Sequence, residues 1–261
     1  MSLSKSEVDL IQTAADYMSS ARHVIALSGH AVSSESGVPV FKLSEEDRWD
    51  PEIEKYLKGY ELFKEDARAY WELHLNPPEY FRIRRERQET ARPNAVHFAM
   101  KELEDLQILK LLVTEAPDGL YQKGGLQNLA EIHGSTFKMR CGQCGSRFPR
   151  EEFTPGDEPP LCPECEGFVK TDVVHFGEPI PEDVLKVCND EASISDMMLV
   201  VGSSAEIYPA AALPQVVKQR GGRLVEINEE QTDISLSCDI SLRGRPGEIL
   251  PLLVEAVKRG A

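Results

Sequence analysis

Residues 23–42 read HVIALSGHAVSSESGVPVFK, and this stretch decides the fold of the chain. It begins with an apolar run at 24–27, which is too short for a helix and is typical of a buried strand. The run breaks at Ser28-Gly29 and continues through small polar residues to a second glycine, Gly37. A buried strand that ends in such a turn is how nucleotide-binding α/β domains present backbone N–H groups to phosphate.

The turn is weak evidence by itself, because the dinucleotide fingerprint Gly-x-Gly-x-x-Gly is absent. The positions after Gly29 are His30, Ala31, Val32 and Ser33. An ordinary strand-to-helix connection is an equally good interpretation of this stretch alone. The choice between a phosphate-binding turn and an ordinary connection therefore depends on other parts of the chain.

Length and charge narrow the class of protein. A chain of 261 residues fits one large domain or a large domain with a small one. Its net charge of −15 is unfavourable for contacts with a phosphate backbone, so we expect no direct nucleic-acid binding. No apolar run approaches the roughly 20 residues that cross a bilayer, and the first residues lack a secretory pattern. We therefore expect a cytoplasmic protein that does not bind membranes.

Four of the six cysteines form two pairs, Cys141-x-x-Cys144 and Cys162-x-x-Cys165, with 17 residues between the pairs. Each pair can bind one side of a tetrahedral ion, and a small hairpin ribbon can bring the pairs together. Four thiolates complete the coordination of zinc, so the ion would be structural. The alternative is two buried or redox-active pairs.

Strands alternate with helices along most of the chain, which predicts an α/β fold with a doubly wound parallel sheet. The segment 43–92 differs, since it is rich in charged and aromatic residues and reads as an insertion of short helices. The predicted strands are 24–27, 108–113, 172–176, 197–201 and 223–227. The predicted helices are 4–22, one that starts after 92, 205–220 and 247–259, with a short helix or turn at 126–132.

Several polar residues stand where a site is expected. His133 lies at a junction before a glycine, where an imidazole can act as a general base near neutral pH. A lone histidine is more often structural. Gly202, Ser203, Ser204 and Asn228 follow the ends of two predicted strands, the edge at which a nucleotide binds to an open α/β sheet.

Taken together, these motifs resemble those of the sirtuins, the NAD-dependent protein deacylases, over nearly the whole chain. The matching segments are 29–42 for Gly-Ala-Gly-x-Ser-x-x-Ser-Gly-Ile-Pro-x-Phe-Arg, 93–97 for Pro-Asn-x-x-His, 133–134 for His-Gly, the two cysteine pairs, 176–181 for Phe-Gly-Glu-x-x-Pro, 202–204 for Gly-Thr-Ser and 227–228 for Ile-Asn.

The resemblance implies a Rossmann-like NAD-binding domain made of 1–42, 93–134 and 171–261. A smaller domain would combine the helical insertion 43–92 with a zinc-ribbon module at 135–170. An acyl-lysine protein or peptide would enter between the two domains. The implied cofactors are NAD and one structural Zn²⁺, held by the four paired cysteines.

The resemblance also implies a reaction, in which the acyl oxygen of the lysine attacks the nicotinamide ribose and nicotinamide leaves. The acyl group is transferred to the ADP-ribose of NAD, and His133 activates a ribose hydroxyl as general base. The implied cofactor-binding residues are Gly29, Ser33, Glu35, Ser36, Gly37, Phe41, Asp118, Gly202, Ser203, Ser204 and Asn228.

The chain departs from the family pattern at its most polar motif. Where sirtuins have Thr-Gln-Asn-x-Asp-x-Leu-His, residues 114–121 read Thr-Glu-Ala-Pro-Asp-Gly-Leu-Tyr. Glu115 and Ala116 thus replace two amides that contact the reacting ribose, and one lost hydrogen bond there costs about 10²–10³ in rate. His30 replaces a small residue and so crowds the phosphate loop. A positively charged imidazolium at this position would offset the crowding by facing phosphate. Lys42 replaces an arginine.

These departures leave alternatives open. The chain would be a deacylase, a weakly active NAD or ADP-ribose sensor, or an ADP-ribosyl transferase with shifted chemistry. The retained His133 and Asp118 favour an enzyme, whereas the lost asparagine favours the sensor. Arg82, Arg84 and Arg85 of the insertion would face an acidic acyl group or form a solvated basic helix face.

Overall fold

A computed structural model describes residues 4–40, 44, 50–153 and 158–260 of the chain. Two residues of the sirtuin-like motif, Phe41 and Lys42, lie outside these ranges, so the prediction that Phe41 binds the cofactor stays a prediction. The described strands are β1 (Val24–Ser28), β2 (Leu109–Thr114), β3 (Leu129–Glu131), β4 (Lys138–Cys141), β5 (Arg147–Pro149), β6 (Val169–Thr171), β7 (Met197–Val201), β8 (Arg223–Asn228) and β9 (Ile240–Arg243).

Six strands form one parallel sheet in the order β3-β2-β1-β7-β8-β9. The chain builds this sheet outward from β1, first to one side and then to the other, so the order reverses between β1 and β7. The carboxyl ends of the two strands at such a reversal flank the crevice where α/β proteins bind ligands. The doubly wound Rossmann-like sheet predicted from the sequence is confirmed.

Helices cover both faces of this sheet. The described helices are α1 (Lys5–Ser20), α2 (His30–Ser34), α3 (Pro51–Leu57), α4 (Gly59–Glu65), α5 (Ala67–Leu75), α6 (Glu79–Thr90), α7 (Ala95–Asp105), α8 (Leu120–Lys123), α9 (Glu182–Ile194), α10 (Leu213–Gln219) and α11 (Pro246–Gly260). Side chains alternate along β1, where Ala26 packs with α1, α7 and α11 while Ile25 and Leu27 pack with α9 and α10.

The helical insertion and the cysteine segment share a separate core. Phe63 of α4 and Tyr70 and Trp71 of α5 pack against Met139 of β4 and Val169 of β6. The indole Nε1 of Trp71 donates to the carbonyl oxygen of Val169 at 2.8 Å. The short helices predicted for the insertion are confirmed, and these aromatic side chains fill a core as expected. The ribbon itself is the antiparallel sheet β5-β4-β6.

Several local predictions were wrong. Residues 126–132 contain β3, because their backbone pairs with β2. Residues 172–176 form a loop after β6, in which the N–H of Val174 donates to the carbonyl of His133, outside any strand. The helix expected from 205 begins at Leu213, after a 3₁₀ turn at Ala210–Ala212, because the turn after Gly202 continues to Pro209, and Ala205 has φ +51°. The sequence patterns missed α9 and β9 altogether. In the part of the chain that is described, no helix has the length and apolar character of a membrane span.

Candidate active site

The turns after β1 and β7 are hydrogen-bonded to each other. The backbone N–H of Gly29 donates to the carbonyl of Val201 at 3.0 Å, and that of Ala31 donates to the carbonyl of Gly202 at 3.2 Å. These two amides hold the edge of the sheet together. The expectation that this turn presents its N–H groups to phosphate therefore does not extend to Gly29 and Ala31, whose donors are already paired.

Gly29 is the position where this contact tolerates no side chain. A Cβ atom there would lie 2.3 Å from the carbonyl oxygen of Gly202 and 2.5 Å from the Cα of Ser203. Both are backbone atoms, so a turn must move. We predict that Gly29→Ala lowers the free energy of unfolding by about 1–3 kcal/mol and weakens dinucleotide binding, measured by chemical denaturation and calorimetry.

Gly260→Ala is the matched control for this prediction, because a Cβ at Gly260 meets nothing within 4 Å. It is expected to leave both quantities unchanged. A Gly29→Ala protein with wild-type stability and wild-type binding would show that the two turns do not need their close approach.

A cavity of about 1670 Å³ opens above this edge, between the sheet, the insertion and the ribbon. It brings together residues from β-strand ends that are far apart in sequence. Four of the residues predicted from the sequence as site residues line this cavity: His133, Gly202, Ser204 and Asn228. Three residues at which the chain departs from the family pattern also line it: His30, Ala31 and Glu115. The predicted base and the predicted strand-end residues thus share one cavity.

Other predicted residues lie beside this cavity or away from it. Asp118 is buried, and its carboxylate accepts from the N–H of Leu120 at 3.1 Å. Ser33 and Ser203 are buried as well. Three more of the predicted cofactor-binding residues, Glu35, Ser36 and Gly37, line a second cavity of about 360 Å³.

Glu35 and Ser36 have protein partners at this second cavity. A carboxylate oxygen of Glu35 accepts from the N–H of Gly247 at 2.9 Å, at the start of α11, where a negative charge suits the helix dipole. The hydroxyl of Ser36 accepts from Nδ2 of Asn94 at 2.9 Å. These contacts connect α2, α7 and α11, so the structure gives both residues a scaffold role, and their binding of cofactor stays a prediction.

His133 has a defined tautomer. Its Nδ1 lies 3.1 Å from the carbonyl oxygen of Glu115, and since a carbonyl only accepts, Nδ1 carries the proton. Nε2 is left with a lone pair. Burial lowers the pKa of His133, against the opposing effect of the Glu115 carbonyl. The ring is therefore neutral at pH 7 and able to accept a proton.

His30 does not supply the positive charge considered from the sequence. Burial lowers the pKa of His30 to about 4, and the positive charge of Arg84 acts in the same direction. At pH 7 the imidazole is neutral. His30 and His133 are thus both uncharged in the wall of the same cavity.

The sequence patterns missed Asp172, which positions the segment that carries His133. One carboxylate oxygen of Asp172 accepts from the N–H of Ser135 at 3.2 Å. A Cβ on Gly134 would lie 2.1 Å from the carbonyl oxygen of Asp172, so glycine is required there. Because these residues are nearly 40 positions apart, the only local signal was the His-Gly pair itself.

The four paired cysteines meet in the ribbon. Their sulfurs all lie within 4.8 Å of one another. The Sγ atoms of Cys141 and Cys165 are 3.5 Å apart, and those of Cys144 and Cys162 are 3.7 Å apart. A zinc ion with bonds of about 2.3 Å to four sulfurs has edges of about 3.8 Å, whereas a disulfide needs about 2.05 Å. The cluster therefore fits one tetrahedral ion.

The model of the Sir2 family matches residues 29–209, which span both turns, the insertion and the ribbon. The chain belongs to the Sir2 family. It is 39% identical over 249 residues to NAD-dependent protein deacylase 2 of Pyrobaculum aerophilum, covering 94% of this chain and 95% of that protein. It is 36% identical over 251 residues to the NAD-dependent protein deacylase of Thermococcus kodakarensis, with 94% and 95% covered.

Solved Sir2 structures share the whole architecture. A Sir2 homologue in complex with NAD has a TM-score of 0.79 at 34% identity, covering 95% of this chain and 94% of that one. Sir2Af2 bound to a myristoylated histone peptide has a TM-score of 0.70 at 32% identity, with 96% and 97% covered. The α/β fold with a zinc-ribbon-like small module is therefore that of the Sir2 family.

Proposed function

We propose that this Sir2 chain is an NAD-dependent protein-lysine deacylase with His133 as its general base. The observation that carries the proposal is the neutral imidazole of His133 in the wall of the cavity, with Nδ1 bound to Glu115 and Nε2 left as acceptor. Relatives named NAD-dependent protein deacylases and Sir2 complexes with NAD and with an acylated peptide support it.

NAD fits the residues that line the crevice. When bound, it supplies a nicotinamide leaving group on a ribose carbon that can accept the acyl oxygen of the substrate lysine. Nε2 of His133 would take the proton of a ribose hydroxyl. Gly202, Ser204 and Asn228 would hold the adenosine half at the ends of β7 and β8, and Asp118 would hold the nicotinamide amide.

We propose the domain division 1–42, 93–134 and 171–261 for NAD, and 43–92 with 135–170 for the small domain. The core that the insertion shares with the ribbon supports it. Cys141, Cys144, Cys162 and Cys165 would hold one structural Zn²⁺. An acyl-lysine peptide would bind where the cavity passes between the two parts.

Nicotinamide release from NAD tests this function, assayed with peptides that carry acetyl, medium-chain and long-chain acyl-lysine. We expect nicotinamide to be released only when an acylated peptide is present. Mass spectrometry should then detect the same peptide with its lysine deacylated. The second candidate function is a weakly active sensor of NAD or ADP-ribose. It is favoured by Ala116, a buried methyl group at the position where the family has an asparagine. NAD binding without release would support the sensor, and ADP-ribose on the peptide would support the transferase. A flat NAD titration would exclude all three.

A further inference from the structure

A side-chain hydrogen bond joins the turns after β2 and β7, beside the carboxyl end of β1. Glu115 directly follows β2 and Ser203 follows β7, the two strands that flank β1. The hydroxyl of Ser203 donates to a carboxylate oxygen of Glu115 at 2.5 Å. The N–H of Glu115 donates to the carbonyl of Ser28, the last residue of β1, at 2.9 Å. The carboxyl group of Glu115 is thus held at the carboxyl end of β1.

This carboxyl group is buried, and the described residues give it no cationic partner. Only 5% of Glu115 is exposed, and no lysine, arginine or histidine forms an ion pair with it within 4–40, 50–153 or 158–260. Burial raises the pKa of Glu115, and the Ser203 hydrogen bond opposes the rise.

The surrounding titratable groups do not offset its charge. His133, which follows β3, contacts the Glu115 carbonyl, and burial keeps its ring neutral at pH 7. His30 of α2 lines the same cavity and is also neutral, with Arg84 of α6 acting on it. Asp118, on the loop that Glu115 begins, is a second acid. An ionised Glu115 would therefore bring an uncompensated negative charge to the crevice that is proposed to bind the anionic dinucleotide.

We propose that Glu115 binds the dinucleotide as a neutral carboxylic acid, which takes a proton from solvent when the ligand enters. One oxygen of the neutral acid still accepts from Ser203, and the protonated oxygen donates into the cavity. This is the donor and acceptor pair of a glutamine amide. The inference rests on the proposed function, since its ligand is a dinucleotide that lies across this edge. It assigns Glu115 as a ligand-binding residue of the same site.

The sign of the linkage follows from the proton count. The complex carries one proton on Glu115 that the ionised free protein lacks, so rising pH opposes binding. Affinity then falls by up to about tenfold per pH unit wherever the free carboxyl is ionised and the bound one is protonated. A ligand that left Glu115 ionised would show no such dependence.

Calorimetric titration with ADP-ribose tests the proposal, at several pH values between 6.5 and 8.5 and in buffers of different ionisation enthalpy. The wild-type protein is expected to take up as much as one proton per ligand. Glu115→Gln, a neutral side chain of the same shape, should bind without this uptake and with a nearly constant affinity. Glu206→Gln should behave as wild type, because Glu206 lines the same cavity but is exposed.

Three outcomes overturn the inference. Binding to the wild-type protein without proton uptake at any pH in this range would mean that Glu115 gains no proton when the ligand enters. Uptake that persists in Glu115→Gln but disappears in His30→Asn would assign the proton to the imidazole. Absence of any ADP-ribose binding would remove the proposed function as well, which separates the two failures.

Discussion

His133→Ala is expected to lower formation of the deacylated peptide by about 10²–10⁴-fold, the usual contribution of a general base. Binding of ADP-ribose should persist, since the adenosine half is assigned to the ends of β7 and β8. The reason is that the variant lacks the neutral Nε2 that the structure leaves as a proton acceptor in the cavity. Single-turnover formation of the deacylated peptide and calorimetry on the same protein measure the two quantities.

The pH profile adds a readout that a structural role would not produce. Because burial lowers the pKa of His133 below its ordinary value of 6.5, the base stays competent below that pH. The acid limb due to His133 in the wild-type profile should therefore fall below pH 6.5 and should vanish from the residual activity of the variant. His23→Ala is the control, since His23 pairs with Glu191 at the surface of the sheet. Equal rates of peptide deacylation in His133→Ala and wild type would clear His133 of a catalytic role.

Removal of the metal is expected to have the largest effect on the fold. Structural zinc contributes about 10–16 kcal/mol to folding in zinc-finger peptides at pH 7, and the shared core of ribbon and insertion is small. Cys162→Ser, or a strong chelator, should therefore unfold the small domain and abolish deacylation. Metal analysis of the purified wild-type protein should give about one zinc per chain.

Trp71 reports this unfolding. Its indole is 5% exposed and hydrogen-bonded to Val169 in the ribbon, so chelation should shift the fluorescence to the red. Trp71→Phe should reduce that change, and any remainder belongs to Trp49, the other tryptophan of the insertion. Cys238→Ser is the control, because Cys238 lies outside the cysteine cluster. Full activity and unchanged fluorescence in a protein free of metal would refute a structural role for zinc.

Local chemistry explains which parts of the fold could be predicted from the sequence. Helix α1 begins where expected because Ser4 and Glu7 form a capping box, with the Glu7 carboxylate 2.7 Å from the N–H of Ser4. The strand β7 was predicted residue for residue, since it is a short, fully buried apolar run. The cysteine spacing predicted the cluster because two-residue loops fit tetrahedral coordination.

The missed features depend on distant partners. β3 has three residues, too few for a pattern, and forms because β2 pairs with it. The hydrogen bond between Glu115 and Ser203 joins residues 88 positions apart, so neither residue signals it alone. Glu35 was expected at the cofactor, and its contact with the start of α11 depends on a helix more than 200 residues later.

The shared core of insertion and ribbon makes the two segments inseparable. Phe63, Tyr70 and Trp71 come from one segment and Met139 and Val169 from another, with α7, β2, α8 and β3 between them in the chain. During synthesis the first segment has nothing to pack on until the second has emerged. A chimera that borrows the insertion of another family member must therefore borrow its ribbon too, because the surface inherited by either alone would have no counterpart.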